Sequence, residues 1–221
     1  MSSTAPAAFV SFRLSIRWLP EEASEPTHTI VLTGVRRGIF LDVRFFKGTK
    51  ELDWAFAGYR TTDPNNPNVI KFRHDIDSRT LESVEDSGTN TTLPDGTTLE
   101  IGEMIDPRTG KITPFEEIWR DREEGDPGSV LFIRNVSGTI WQARVGRWQM
   151  GLGRRRDGVF WAWQAERDHE SKWKIKHSTE GVATDEVVWL PESGKIKEWL
   201  EGSTVMWLGD EWIVLERGLG V

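Results

Sequence analysis

Phe9-Val-Ser-Phe-Arg-Leu-Ser-Ile-Arg-Trp18 decides the fold class. Phe12, Leu14, Ile16 and Trp18 fall on one face of this run, and Ser11, Arg13, Ser15 and Arg17 on the other. Successive side chains of extended backbone point to opposite sides, so a period of two marks a half-buried strand. Similar runs follow at 29–32, 39–46, 54–59, 69–76 and 98–104. Breakers separate them: Gly34, Gly48, the segment 62–67 with its two prolines, and Asp95-Gly96 between Leu93 and Leu99. Gly supplies the positive φ that a tight turn needs. Runs at 130–135, 139–148, 159–165, 173–177, 186–190, 204–207 and 211–216 continue the style, with turns at Arg156-Asp-Gly158 and Leu208-Gly-Asp210. About twelve to fourteen short strands with few helical windows predict a barrel or sandwich. Residues 194–201, with Ile196, Trp199 and Leu200 at helical spacing, are the best helix candidate. Residues 114–120 read as one helical turn or a strand entry.

The chain repeats itself once. Trp54-Ala-Phe-Ala-Gly-Tyr-Arg60 is similar to Trp161-Ala-Trp-Gln-Ala-Glu-Arg167. Each is followed by a polar loop and a further strand, Ile70-Lys-Phe-Arg-His74 or Trp173-Lys-Ile-Lys-His177, and then by Leu93-Pro94 or Leu190-Pro191. The expectation is a mainly β protein of two antiparallel, barrel-like halves, residues 1–124 and 125–221, with a boundary in the breaker-rich segment 122–128.

Composition narrows the chemistry. The 221 residues contain no cysteine and four histidines, so thiolate ligands, disulfides and a Cys nucleophile are excluded, and neither a metal nor a cofactor is expected. A net charge of −7 disfavours generic nucleic-acid binding, which depends on neutralising phosphates. Arg144, Arg147, Arg154, Arg155 and Arg156 are the local exception, read as a solvated basic face or an anion site. No signal-peptide core or apolar run of about 18 residues is visible, so a cytoplasmic protein without membrane attachment is expected. Twelve tryptophans against one tyrosine call for wide aromatic-walled interiors, most of the indoles being ordinary core.

Nucleophile elbows, phosphate loops, dinucleotide fingerprints and zinc-helix motifs are missing. Three polar clusters remain. In Arg73-His-Asp-Ile-Asp-Ser-Arg79, a flat strand puts His74 and Ile76 on one face and Arg73, Asp75 and Asp77 on the other. His74 on a lumenal face would suit a general base near neutral pH; Asp75 and Asp77 beside Arg73 or Arg79 would make a charge-paired alternative. A strand end with surface ion pairs explains the same residues. In Phe115-Glu-Glu-Ile-Trp-Arg-Asp121, Glu116, Ile118 and Arg120 oppose Glu117, Trp119 and Asp121. A carboxylate against an indole has its pKa raised by lost hydration, which suits an acid or base as readily as solvated charge suits a surface. The third group, Trp18, Asp42, Asp53, Trp54 and Phe56, would line a substrate cavity. Asp42 and Arg44 share a face of an apolar strand, with surface pairing the expected outcome.

Ser15-Ile-Arg-Trp-Leu19, Glu25-Pro-Thr27, Ile30-Val-Leu32, Leu52-Asp-Trp-Ala-Phe-Ala-Gly58 and Ile76-Asp-Ser-Arg-Thr80 carry a family resemblance. Asp95-Gly96, Glu100-x-Gly102, Asp106-Pro-x-Thr-Gly110 and Glu116-Glu-x-Trp-Arg-Asp121 extend it. The chain resembles the fungal two-barrel, lipocalin-like family of the yeast casein-kinase-interacting protein. Within that family it resembles the small α-pyrone cyclases encoded beside fungal polyketide synthases, as in the aurovertin pathway. The resemblance implies calycin-type barrels and a cofactor-independent cyclase of secondary metabolism that closes a linear polyketide to an α-pyrone. A polyketide synthase would be a partner, and a homodimer is allowed by barrel edges and exposed indoles. A non-catalytic ligand carrier or kinase-associated adaptor is the alternative. The resemblance assigns no catalytic residue, so His74, Asp75, Asp77, Arg73, Arg79, Glu116 and Glu117 are candidates from local chemistry alone, with Trp119 added to the cavity wall.

Overall fold

The computed structural model describes residues 8–124, 129–182 and 187–218. Among the described residues, fifteen strands form two antiparallel sheets. The first contains β1 (Ala8–Trp18), β2 (Thr27–Gly34), β3 (Ile39–Phe46), β4 (Leu52–Asp63), β5 (Asn66–Asp77), β6 (Val84–Thr92), β7 (Thr98–Ile105) and β8 (Ile112–Glu123). Each strand pairs with the next, and β8 returns to β1, which closes an up-and-down barrel with no free edge. The second contains β9 (Leu131–Asn135), β10 (Ile140–Val145), β11 (Trp148–Arg154), β12 (Phe160–Arg167), β13 (Trp173–Ser178), β14 (Thr204–Trp207) and β15 (Asp210–Arg217). Its order is β13-β12-β11-β10-β9-β15-β14.

That order reproduces β5-β4-β3-β2-β1-β8-β7 with the counterpart of β6 left out. The expected pair of barrels is therefore one closed ring and one open one. The internal repeat falls on the fourth and fifth strands of each sheet. Both carry a bulge at the matching place, between Ala57 and Gly58 and between Gln164 and Ala165. The two histidines of the repeat are not equivalent, however. Arg60 pairs with Phe72 and Arg167 with Trp173, which shifts His177 to the place of Ile76.

Residues 194–201 form no α-helix; a 3-10 turn at Ser193–Lys195 and further turns replace it. Ile196 and Leu190 are instead buried against Leu131, Ile133, Trp212 and Val214, inside the open sheet. Residues 114–120 belong to β8. The run 139–148 breaks at Gly146, whose φ of 57° turns β10 into β11. Two glycines of β11 permit close stacking: a Cβ at Gly151 or Gly153 would lie 2.7 Å from the indole of Trp163 or Trp161. In 186–190, residue 186 lies outside the described residues, and the rest is irregular chain. Much of the boundary segment, 125–128, also lies outside them.

The main core lies between the sheets. Val10, Leu32, Leu41, Val43 and Ala57 on the outer wall of the barrel pack with Phe132, Trp141, Val145, Met150 and Leu152. The whole of β3 from Ile39 to Phe45 is buried, its aliphatic residues facing the second sheet and Phe40, Asp42 and Arg44 the lumen. Polar ties cross the seam: Gln164 Nε2 donates to the carbonyls of Val43 at 2.6 Å and His28 at 3.0 Å. His177 stacks on His28 with centroids 4.2 Å apart.

Because both sheets share this core, they should unfold in one transition. Trp141, 1% exposed, sits in the seam. Trp141→Ala should cost about 3–5 kcal/mol in urea denaturation monitored by circular dichroism while keeping a single transition. Burial, then the nearness of His28, depresses the pKa of His177 to about 4. A depressed base is charged first in the unfolded chain, so this stability is lost as pH falls from about 6.5 towards 4. His177→Gln should flatten the wild-type decline of the urea midpoint across that window.

Candidate functional site

The apolar wall of β1–β4 faces the second sheet, so the alternate residues of the same strands face the lumen. The quoted stretch thus points Ser11 and Arg13 inward, and Val10 and Phe12 outward. The lumen encloses a cavity of about 550 Å³. Its aromatic walls include Phe9, Phe40, Trp54, Phe56, Phe72 and Trp119.

Charge inside the barrel is paired. Arg13 Nη1 donates to Glu117 at 2.6 Å and Nε to Glu25 at 2.9 Å, while Nη2 donates to Thr27 at 2.7 Å. Arg44 grips Asp42 through Nε at 3.1 Å and Nη2 at 2.7 Å, and its Nη1 lies 3.7 Å from Glu117. The expected surface pair of Asp42 and Arg44 is thus a buried one. Burial opposes the charge on Arg44, but Asp42 and Glu117 outweigh it and hold its pKa above the ordinary value. The guanidinium also lies over Trp54, 5.0 Å from the ring centroid.

His74, 1% exposed, faces the lumen. The bulge moves Asp77 to the same side. Gly58 pairs with His74 and Ala57 with Ile76, so Asp75 is the extra residue and the alternation reverses after it. His74 Nδ1 and Asp77 Oδ2 are 2.8 Å apart, and Asp77 also accepts from Trp54 Nε1 at 2.9 Å and the Arg79 amide at 2.7 Å. The His74 ring stacks on Phe56 at 4.0 Å. Burial disfavours its cation, but hydrogen bonding to Asp77 and Asp86 prevails and raises its pKa to about 9. A pKa near 9 favours the imidazolium over the free base at neutral pH.

The other candidates separate. Arg73 and Asp75 pair with each other at 2.8 Å on the solvent side. Glu116 faces outward to Arg17 at 3.3 Å. Arg79 pairs with Asp53 at 2.9 Å and lies 4.3 Å over Trp54. Trp18 is half-buried, edge-on to Phe115. In contrast, Asp42, Trp54, Phe56, Glu117 and Trp119 all line the cavity. Of the arginine-rich run, Arg144 is buried among carbonyls and Arg154 Nη2 donates to the Asp77 carbonyl at 2.6 Å, so no single basic face forms.

Sequence reasoning missed Glu100. It stands directly opposite Glu117 across β7 and β8, and opposite Asn90 across β6 and β7. Its side chain lies over Gly88, where a Cβ would come within 2.2 Å of Oε1. Burial, followed by the charges of Glu117 and Asp86, pushes its pKa up to about 8. Its surroundings thus favour the protonated form of Glu100, opposite the ion-paired carboxylate of Glu117. The signal was the Glu100-x-Gly102 motif, inward-facing on a strand whose neighbours are also acidic.

His74 gives a pH test. Its raised folded pKa means that its stabilising pairing with Asp77 is complete below about 6.5 and lost as pH rises through about 9. The urea midpoint should decline across that window in the wild type and lose most of this slope in His74→Gln. Imidazole NMR shifts should titrate near 9.

The whole arrangement is similar to that in the crystal structure of an uncharacterized protein, YLR301w, from Saccharomyces cerevisiae. The TM-score is 0.71 at 18% identity, covering 96% of this chain and 99% of that one. At that identity the likeness concerns the fold. No curated protein matches the chain. A family model described as Protein HRI1 matches residues 9–216, which takes in both sheets but selects no branch of the family. The chain belongs to the Protein HRI1 family.

Proposed function

We propose that the barrel lumen is a cofactor-independent cyclase site that closes a linear polyketide to an α-pyrone. The observation that carries this reading is Glu100 facing Glu117 inside an aromatic-walled cavity of about 550 Å³. Neighbouring acids whose environments separate their protonation states divide into an acid and a base. Glu117, fixed by Arg13, takes the proton of the δ-enol; the enol oxygen then attacks the terminal acyl carbon. Glu100 donates to the acyl oxygen as negative charge develops there. Collapse of the tetrahedral intermediate expels the leaving group, which receives the proton from Glu117. Phe40, Phe56 and Trp119 hold the chain folded, which makes the attack an oriented intramolecular step. His74 and Asp77 position Trp54 and Phe56 and touch no reacting atom. A polyketide synthase supplies the substrate.

A second reading, a ligand carrier, is favoured by the internal pairing of Arg13, Glu117, Asp42 and Arg44, which leaves the chamber stable without chemistry. One assay separates the two. Purified protein is mixed with a linear 3,5-dioxo acyl thioester, and pyrone formation is followed by absorbance against the uncatalysed rate. The cyclase reading predicts acceleration that falls about 10²–10⁴-fold in Glu100→Gln and in Glu117→Gln, with circular dichroism unchanged. Stoichiometric binding with the substrate returned intact identifies a carrier. Wild-type rates in both variants remove these residues from the mechanism.

A further inference from the structure

The lining of the lumen is unbalanced. Six carboxylic side chains border the cavity, Asp42, Asp86, Glu100, Glu103, Glu117 and Asp121, against the guanidiniums of Arg44 and Arg60, while Arg13 and His74 in the wall are paired with Glu117 and Asp77. Of Arg44 and Arg60, Arg60 makes no ion pair among the described residues, so an anion would meet one open cation amid six carboxylic groups. Arg44 is consumed by Asp42 and Glu117. Arg60 lies over Phe9 at 5.5 Å, and burial, only partly opposed by Asp121 and Glu100, pulls its pKa below the ordinary value. An anionic ligand would add like charge to an acidic, partly dehydrated chamber, where Coulomb repulsion is screened far less than in water.

The polar atoms without a partner point to what fits instead. Trp119 is 8% exposed, and its Nε1, a donor only, has no hydrogen-bond partner among the described residues. It lies one lumenal position from Glu117 on β8, diagonal to Glu100 on β7. Asn90, opposite Glu100 on β6, has a buried Oδ1 without a partner. An unmade hydrogen bond of a buried group is costly, so such atoms mark where a ligand atom of opposite character sits. The indole N–H is one donor on the lumen wall, and a protonated Glu100 is a second on the neighbouring strand.

We infer that the lumen selects an uncharged acyl compound, an ester or thioester whose carbonyl oxygen meets Trp119 and Glu100, and rejects the corresponding free acid. The inference rests on the cyclase reading for its consequence: the polyketide enters as a thioester. There the enol oxygen–carbon bond forms as the carbon–sulfur bond breaks. The electron pair leaves on sulfur, and the enol proton, carried by Glu117, ends on the thiol. No oxidant or further reactant is needed.

Linear probes that cannot cyclise test the selection apart from the chemistry. Titration calorimetry of the whole chain at pH 7 compares ethyl sorbate, its S-ethyl thioester, sorbamide and sorbate. Sorbamide matches sorbate in shape and differs in charge. The three neutral probes should bind at least tenfold more tightly than sorbate. Trp119→Phe should weaken the neutral probes several-fold, and Asp86→Asn, at a half-exposed position, should narrow the gap by improving sorbate. Asp42, Asp86, Glu117, Arg44 and Arg60 all face Glu100, so its ionisation adds charge to an acidic surround. Affinity for sorbamide should accordingly fall as pH rises through about 8, and Glu100→Gln should abolish that fall. Equal binding of sorbate and sorbamide, or no binding of any probe, overturns the inference. Selective binding without pyrone formation leaves it standing and removes the cyclase. Equal turnover of free acid and thioester does the reverse.

Discussion

The outer wall of β1–β4 can bury its aliphatic side only once. It does so against the second sheet, through Val10, Leu32, Leu41 and Val43. A strand alternates strictly, so committing that side to the seam hands the lumen every other residue, and these are Ser11, Arg13, Asp42 and Arg44. The first barrel is therefore held from outside. Its interior is free to be polar and to stay partly empty. Free energy that a filled barrel would draw from its own centre comes here from the interface, which also makes the chamber depend on the second sheet.

A polar interior has a condition of its own. A charge removed from water is tolerated only when paired and hydrogen-bonded. The barrel meets it with chains of contacts: Glu25–Arg13–Glu117–Arg44–Asp42 along one side, and Trp54–Asp77–His74 on the other. Glu100 makes no ion pair among the described residues, and burial with the charges of Glu117 and Asp86 outweighs the pull of Arg44 and raises its pKa. Chemical character thus follows from accounting for charge.

The period-two runs identify β1, β3, β5 and β12 in the sequence because one face of each is apolar. Strand β6 escapes the same reading. Its sequence, Val-Glu-Asp-Ser-Gly-Thr-Asn-Thr-Thr, carries polar groups on both faces, one towards solvent and one towards the lumen. Hydrophobic alternation cannot reveal a strand that buries little hydrocarbon. The helix expected at 194–201 fails for the complementary reason: Ile196 and Leu190 are apolar because they plug the open sheet, and helical spacing arises there without a helix. Within the site, Glu117 and Trp119 fall on the face that simple alternation assigns. Asp77 does not, because the bulge at Asp75 reverses parity, and bulges leave no reliable mark in a single sequence. Arg13 was visible all along on the polar side of the first strand. What alternation could not say is which side turns inward.

The missing strand goes with a smaller hollow in the second half, about 310 Å³ against about 550 Å³ in the barrel. In the barrel, β6 supplies Asp86, Gly88 and Asn90, small or polar groups that close the ring without filling it. Among the described residues no strand takes that place in the second sheet. The connection between β13 and β14 instead turns inward, and Val187, Leu190 and Ile196 join Trp163, Trp173, Trp189, Trp199, Trp207 and Trp212 in its interior. Seven of the twelve indoles, these six and Trp161, are spent there. An open ring must be stoppered by hydrocarbon, since bare backbone edges and an empty apolar hollow are both costly. A ring closed by a polar strand needs no stopper. Similar strand orders therefore lead to different interiors. The sheet packed with tryptophan keeps the smaller hollow, and the barrel with fewer of them the larger one.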